Sequence, residues 1–362
     1  MQNAQAGSRA WWRWVLVVVP PLTLIILAVL VASTYEGWRL THPLRQPVVG
    51  DPATGASLDY RCLPLPLPAF CSAEMLHTLG DHIPIGAWIV PAYPRQAGAY
   101  PGSSGNWSQN TVVLVPDHGQ SRTSSPFPVW AVTRALFAAG YNVVLFDPRG
   151  EGQSGGSGIG FGTVEVDDLL AVLSYLQNLG PPQGHVAVWG LGTGADTAIL
   201  AAARSPAVGA VIADSPYLSP EAYLRRAVPS WTRWPAFPFA ETILWTMQQE
   251  TGIHYGAYQP LHAVRSLGGP SPRPLLLVVG AEDTLTPPAD VYRLFAASHD
   301  SEALSLVVAG AGHLQGFAHS VPSRTAPQYT QYMCDVLKVL SRMQSPAGQS
   351  PAGSCQAAPP SS

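Results

Sequence analysis

Five short stretches of this sequence carry residue types that do chemistry, and each directly follows an apolar run. Asp117-His118-Gly119-Gln120 follows 111–115, Asp147-Pro-Arg-Gly-Glu-Gly-Gln-Ser-Gly-Gly156 follows 142–146, and Gly190-Leu-Gly-Thr-Gly194 follows 186–189. Gly280-Ala-Glu-Asp283 follows 275–279, and Ala311-Gly-His313 follows 304–308. A histidine in a glycine-flanked turn is well placed to present its imidazole as a general base. A turn with glycine at alternate positions lets a strand and a helix pack closely around it. The same turn also fits a different chemistry. Gly190-x-Gly192-x-x-Ala195, with Asp214 twenty residues beyond Gly194, has the spacing of a loop that brings pyrophosphate to a helix N-terminus.

These residues need a scaffold, and the runs before them supply it. Apolar runs at 85–90, 111–115, 142–146, 186–189, 210–213, 275–279 and 304–308 alternate with helix-like segments at 129–139, 164–179, 195–203, 289–297 and 328–343. Strands that are apolar throughout and spaced by helices predict a parallel sheet covered on both faces. In such an α/β fold the residues past the carboxyl ends of the strands gather into one site.

In its order and spacing this series resembles the α/β-hydrolase superfamily, especially the serine-aminopeptidase-like and esterase-like members, over roughly residues 75–343. The resemblance implies an α/β-hydrolase fold with a mostly parallel sheet and a lid inserted after the sixth strand. It implies an oxyanion hole that uses backbone N–H groups of Gln120 and Thr193, and a nucleophile on the sharp elbow after the fifth strand. It also implies that Asp283, ahead of Thr-Leu-Thr-Pro, is the acid that fixes the tautomer of His313, the general base.

One member of that set is missing. The elbow frame Gly190-x-Gly192-x-Gly194 puts Gly192, with no hydroxyl, thiol or carboxylate, at the nucleophile position. Ser154 satisfies G-x-S-x-G within 152–156, but it lies in a Gly/Ser-rich loop rather than a strand-to-helix turn. Taking Thr193 as nucleophile would put Leu191 where a small residue is required, and Asp196 is expected a turn into the helix, facing solvent or capping it. The expected function is therefore that of a relative of ester and peptide hydrolases whose catalysis is impaired or absent. Two alternatives stand beside it: a hydrolase in which His313 and Asp283 activate a water in the space left by the serine, and an oxidoreductase binding a nicotinamide or flavin dinucleotide at Gly190-x-Gly192-x-x-Ala195. The hydrolase readings require no cofactor and no metal, and the four cysteines lack the close pairs of a zinc site.

Composition narrows the setting. Only 11% of the 362 residues are charged and the net charge is −3, which argues against a nucleic-acid partner. Residues 14–32 carry no charge and are long enough as a helix to cross the roughly 30 Å of bilayer hydrocarbon. Trp11, Trp12 and Trp14 at one end and Tyr35 and Trp38 at the other are interfacial residue types. A transmembrane anchor is expected here, after a short segment 1–13, with a cleaved signal peptide ending near Val31-Ala32-Ser33 as the rival. Cys62, Cys71, Cys334 and Cys355 form an even set that either pairs in an oxidising compartment, which would place the domain outside the cytoplasm, or remains as thiols. The remaining plan is a Pro-rich linker over 33–72, a hydrolase domain over 73–343 with an aromatic-rich lid over 219–274, and a disordered tail over 344–362. The expected partners are the membrane and a small ester, acyl or peptide ligand.

Overall fold

The computed structural model describes residues 3–48, 72–78, 81–90, 110–124, 126–178, 186–268, 272–298, 303–322 and 330–343, with the backbone alone for 3–16 and 72–74. The tail, most of the linker, and Cys62, Cys71 and Cys355 lie outside these residues. The chain divides into two compact units, Met1–Thr41 with Leu224–His254 and His42–Tyr223 with Tyr255–Ser362.

The larger unit holds eight strands: β1 (Ser72–His77), β2 (Pro84–Val90), β3 (Thr111–Val115), β4 (Asn142–Phe146), β5 (Val186–Leu191), β6 (Val208–Asp214), β7 (Leu275–Gly280) and β8 (Leu304–Val308). They form one sheet in the order β1-β2-β4-β3-β5-β6-β7-β8. β1 and β2 pair antiparallel with each other and β2 with β4, and all later pairings are parallel. Every expected strand is present. β1 was not expected, because Ser-Ala-Glu-Met-Leu-His has no continuous apolar run; its pairing with β2 makes it a strand.

Strand side chains alternate between two cores, as the pleat requires. Val113, Val115 and Val188 join one cluster, and Val112, Leu114 and Trp189 join the other. The first cluster is closed by α3 (Glu165–Asn178), α4 (Thr193–Arg204) and α8 (Pro288–Ala297), and also takes Val264 of α7 (Pro260–Arg265). The second is closed by α2 (Val129–Ala138) and α10 (Gln331–Ser341). α9 (Gly316–His319) is a single turn after β8. The predicted two-faced α/β architecture is thus present, with helices where the sequence periodicity placed them.

The smaller unit contains α1 (Asn3–Thr41), α6 (Ala236–Thr251) and most of α5 (Pro220–Thr232). α1 is apolar and long enough over Val17–Thr41 to cross a membrane. It runs on past Ala32, where the linker was expected to begin, because its last turns have a partner. Ser33, Gly37 and Thr41 form a buried stripe of small residues at four-residue spacing. Along it, Ser33 Oγ and Thr242 Oγ1 are 2.7 Å apart, and Thr246 Oγ1 donates to the Ser33 carbonyl at 3.0 Å. The segment 219–274 is accordingly not one element. Residues 224–254 belong with α1, whereas Tyr255 and α7 return to the larger unit.

Candidate functional site

The turn expected to be the elbow is present, with Gly192 at its apex. β5 ends at Leu191 and α4 starts at Thr193, so Gly192 alone makes the turn, at φ 54° and ψ −120°. A side chain in this region of backbone space costs roughly 1–3 kcal/mol, which glycine avoids. Gly190 is required by contact rather than by angle: a β-carbon there would lie 2.5 Å from the Ala195 Cα.

Asp283 and His313, the expected acid and base, lie in contact. Asp283, just past β7, accepts the N–H groups of Leu285 and Thr286 on Oδ1, both at 2.9 Å, and the Thr286 hydroxyl on Oδ2 at 2.7 Å. The same Oδ2 is 2.9 Å from His313 Nδ1. Burial by itself would raise the Asp283 pKa, but the hydrogen bond and charge of His313 and the Thr286 donors outweigh it and hold it below the usual value. Burial would lower the His313 pKa, yet the Asp283 hydrogen bond and the charges of Asp117, Asp283 and Asp214 together raise it. The other ring nitrogen, Nε2, is buried without a hydrogen-bond partner and lies 3.9 Å from Asp117 Oδ2.

Asp117 is the residue the sequence reading passed over. Its Oδ1 accepts the Thr193 N–H at 2.8 Å and the Thr193 hydroxyl at 2.9 Å, and stands 3.0 Å from His118 Nδ1. A β-carbon on Gly192 would lie 2.5 Å from Asp117 Cγ and 2.9 Å from Oδ2. The carboxylate therefore fills the volume that a side chain on residue 192 would take and occupies the Thr193 N–H, the donor expected for an oxyanion. The space is not vacant, as the activated-water alternative assumed. Burial opposes ionisation of Asp117, but the charges and hydrogen bonds of His118, His313 and Thr193 prevail and hold its pKa far below normal. What brings it there is sheet pairing, which the order of residues along the chain does not show. β3 and β5 pair in parallel with Val115 opposite Gly190, so a residue two past each strand position brings 117 to 192.

Other expectations fare differently. Thr193 stands at the start of α4, with its N–H already taken. Gln120 lies on the loop after β3, with its side-chain oxygen buried and unpartnered. Asp196 is not solvent-facing or a cap: it is 0% exposed, accepts the Tyr217 N–H at 3.0 Å, and burial pushes its pKa well up. The reason is that α4 is covered on nearly every side. Ser154 is structural, donating to the Asp147 carbonyl at 2.6 Å and accepting the Gly86 N–H at 2.9 Å. The dinucleotide alternative loses both its features. The turn N–H that would meet a pyrophosphate is bonded to a carboxylate, and Asp214, the supposed ribose partner, is buried and accepts the hydroxyls of Tyr332 and Ser215, both at 2.9 Å. Beside Asp117, His118, Glu151, Glu165 and Thr193 line a cavity of only about 10 Å³, the room one water needs. Among the described residues no group of three or more His, Cys, Asp and Glu is arranged to hold a metal.

Glu151, on the loop after β4, braces this site by accepting the Gly119 N–H at 2.7 Å, while its Oε2 is buried and unpartnered. Burial raises its pKa from 4.5 to about 8, against the opposing Gly119 bond and with help from the charges of Glu165 and Asp147. Between those two pH values the folded chain holds a proton that the unfolded chain releases, so this group's contribution to stability falls as pH rises. Glu151→Gln is expected to gain on the parent by a few kcal/mol from pH 4.5 to 8, read as urea midpoints across that range. An unchanged difference would show that the carboxyl is solvated.

Comparison with known proteins agrees with this architecture. Residues 108–255 match the family of serine aminopeptidases, S33. An uncharacterised protein of Bacillus subtilis, YqkD, is 31% identical over 176 residues, 47% of this chain and 55% of that protein, so the chain spans about half the length of this curated relative. Among solved structures, the Pyrococcus furiosus esterase PF2001 is 21% identical with a TM-score of 0.61, covering 84% of this chain and 98% of its own. The α/β hydrolase GrgF from Penicillium sp. sh18 is 19% identical with a TM-score of 0.54, covering 76% and 99%. Strand order, the strand-to-helix turn at Gly192, Asp283 and His313 on successive strand ends and these likenesses converge: the chain has the α/β-hydrolase fold, and residues 108–255 are similar to the serine aminopeptidases, S33.

Proposed function

We propose that this chain is a membrane-anchored α/β-hydrolase relative that has lost serine-type acyl transfer and faces an oxidising compartment outside the cytoplasm. The observation that carries the reading is the Asp117 carboxylate in the place of the nucleophile side chain, bonded to the Thr193 N–H. Hydrogen bonds to a charged acceptor are stronger than those to a neutral carbonyl, so a substrate oxygen is a poor competitor for that donor. The water-sized cavity beside it supports the same reading. α1 supports the anchor, and the disulfide-bonded state of Cys334 supports the compartment.

A second reading rests on His313 Nε2, buried, unpartnered and 3.9 Å from Asp117 Oδ2. In it the Asp283–His313 pair still drives hydrolysis of an ester or amide, with Asp117 as a non-standard nucleophile or as the partner of an activated water. Assays of the full chain on short- and long-chain p-nitrophenyl esters and aminoacyl amides separate the two. The parent and His313→Ala are expected to be equally slow. A loss of ~10²-fold or more on removing the base would overturn the first reading in favour of the second. Carbonate extraction tests the anchor: retention in the membrane with residues 1–35 intact is expected, and release of a shortened chain would mark a signal peptide.

A further inference from the structure

α1 and α6 lie side by side and run the same way. Ser33 meets Thr242, and four residues further on a β-carbon at Gly37 would meet Thr246 and Met247. Carried back by the same register, the start of α6 and the turn that joins it to α5 descend along α1 toward its apolar middle. Trp234 of that turn shows how far. Together with Leu24, Leu27, Val31 and Tyr35 of α1 it lines a groove of about 610 Å³. Nine residues separate Leu24 from Ser33, a drop of about 14 Å at the helical rise.

The turn is built for an apolar setting. Residues 233–239 read Arg-Trp-Pro-Ala-Phe-Pro-Phe. Phe237 is 87% exposed, and Trp245 on α6 is 54% exposed. Trp234 and Phe239 stack edge to face at 4.5 Å, which shapes the tip. Irregular backbone is costly in hydrocarbon because its N–H groups lack water. Here Pro235 and Pro238 bring no N–H, and that of Trp234 is taken by the Thr232 hydroxyl at 3.2 Å. Glu36, at the polar end of the groove, is paired with Arg39 at 2.7 Å.

We infer that the α5–α6 turn is a second membrane element, dipping into the leaflet beside α1, and that the groove between them holds a lipid acyl chain. This rests on the anchor reading above, since one wall of the groove is the face of α1 that a bilayer would bathe in acyl chains. The occupant is a lipid rather than a peptide because the walls facing it, Leu24, Leu27, Val31 and the Trp234 ring, offer no line of donors or acceptors.

Photocrosslinking of the full chain in phosphatidylcholine vesicles with alkyne-tagged acyl chains tests it. Photoreactive benzoyl-phenylalanine is placed in turn at Leu24, Trp234, Phe237 and Tyr292, the last an exposed residue of α8 in the larger unit. Tagged-lipid adducts are expected at Leu24, Trp234 and Phe237, with their loss at Tyr292. Adducts at Leu24 but at neither turn position would overturn the inference and leave the anchor standing. No adduct even at Leu24 would bring down the anchor reading, and the inference with it. Crosslinks from the turn to a second copy of the chain would also overturn it.

Discussion

Gly192→Ser alone is expected to bring no esterase activity, whereas Gly192→Ser with Asp117→Ala is expected to hydrolyse p-nitrophenyl acetate at least ~10²-fold faster than the parent. Serine by itself has nowhere to go. Its β-carbon would fall 2.5 Å from Asp117 Cγ at a positive φ that only glycine adopts without cost. Forcing the carboxylate aside strips this buried charge of the Thr193 donors, so the single variant is also expected to lose roughly 2–4 kcal/mol of stability. Trimming Asp117 to alanine removes both obstacles. It frees the Thr193 N–H for an oxyanion and opens the path from the new hydroxyl to His313 Nε2, which already has Asp283 behind it at 2.9 Å. A working triad contributes ~10⁶-fold in a studied serine protease, so even a poorly aligned reconstruction leaves a measurable gain. Fluorophosphonate labelling gives an independent readout: the double variant labels and the parent does not. Comparable activity in Gly192→Ser alone would show that Asp117 moves freely and does not hold the site closed. In that case the proposed loss of acyl transfer would rest on the missing hydroxyl only.

The contrast between Gly192 and Asp117 shows where the sequence is legible. Gly192, Asp283 and His313 are each fixed by local context, a short frame of small residues or the end of an apolar strand, so their order along the chain reveals them. Asp117 acts through a non-local relation, the pairing of β3 with β5, which the chain order does not contain because β4 lies between them in sequence and outside them in the sheet. Asp196 fails for a related reason. Helical periodicity identifies a polar position, but α4 is covered on nearly every side, so no face is left for solvent. The extent of α1 is likewise a tertiary matter. Ser33, Gly37 and Thr41 are weak helix formers that end a hydropathy search, and they are helical because small residues let α6 approach. β1, polar at half its positions, has the same origin in its neighbour β2.

Asp168→Ala is expected to cost 3–5 kcal/mol, the usual penalty for breaking a buried ion pair by removing one partner, and to lower the melting temperature by roughly 6–20 °C. Asp168 sits in the first turn of α3 with no exposure, and it holds the glycine-rich turn after β4 through Arg149. Its Oδ2 accepts the Arg149 N–H at 2.8 Å, and its Oδ1 takes Nε at 2.9 Å and a terminal guanidinium nitrogen at 2.7 Å. Without it, among the described residues the guanidinium keeps only Asp81 as an ion-pair partner, at 2.9 Å, a half-exposed carboxylate and a weaker partner for a buried charge. Arg149→Met with Asp168→Leu exchanges two desolvated charges for apolar contact and is expected to recover part of the loss, the remainder being the Arg149 backbone N–H that Asp168 no longer accepts. The site would still register the change, because the same turn carries Glu151, whose carboxyl braces Gly119 beside Asp117. Urea unfolding of the single and double variants measures the coupling. A cost below ~1 kcal/mol for Asp168→Ala would mean that water reaches Arg149 and that the turn after β4 is held by its backbone bonds alone.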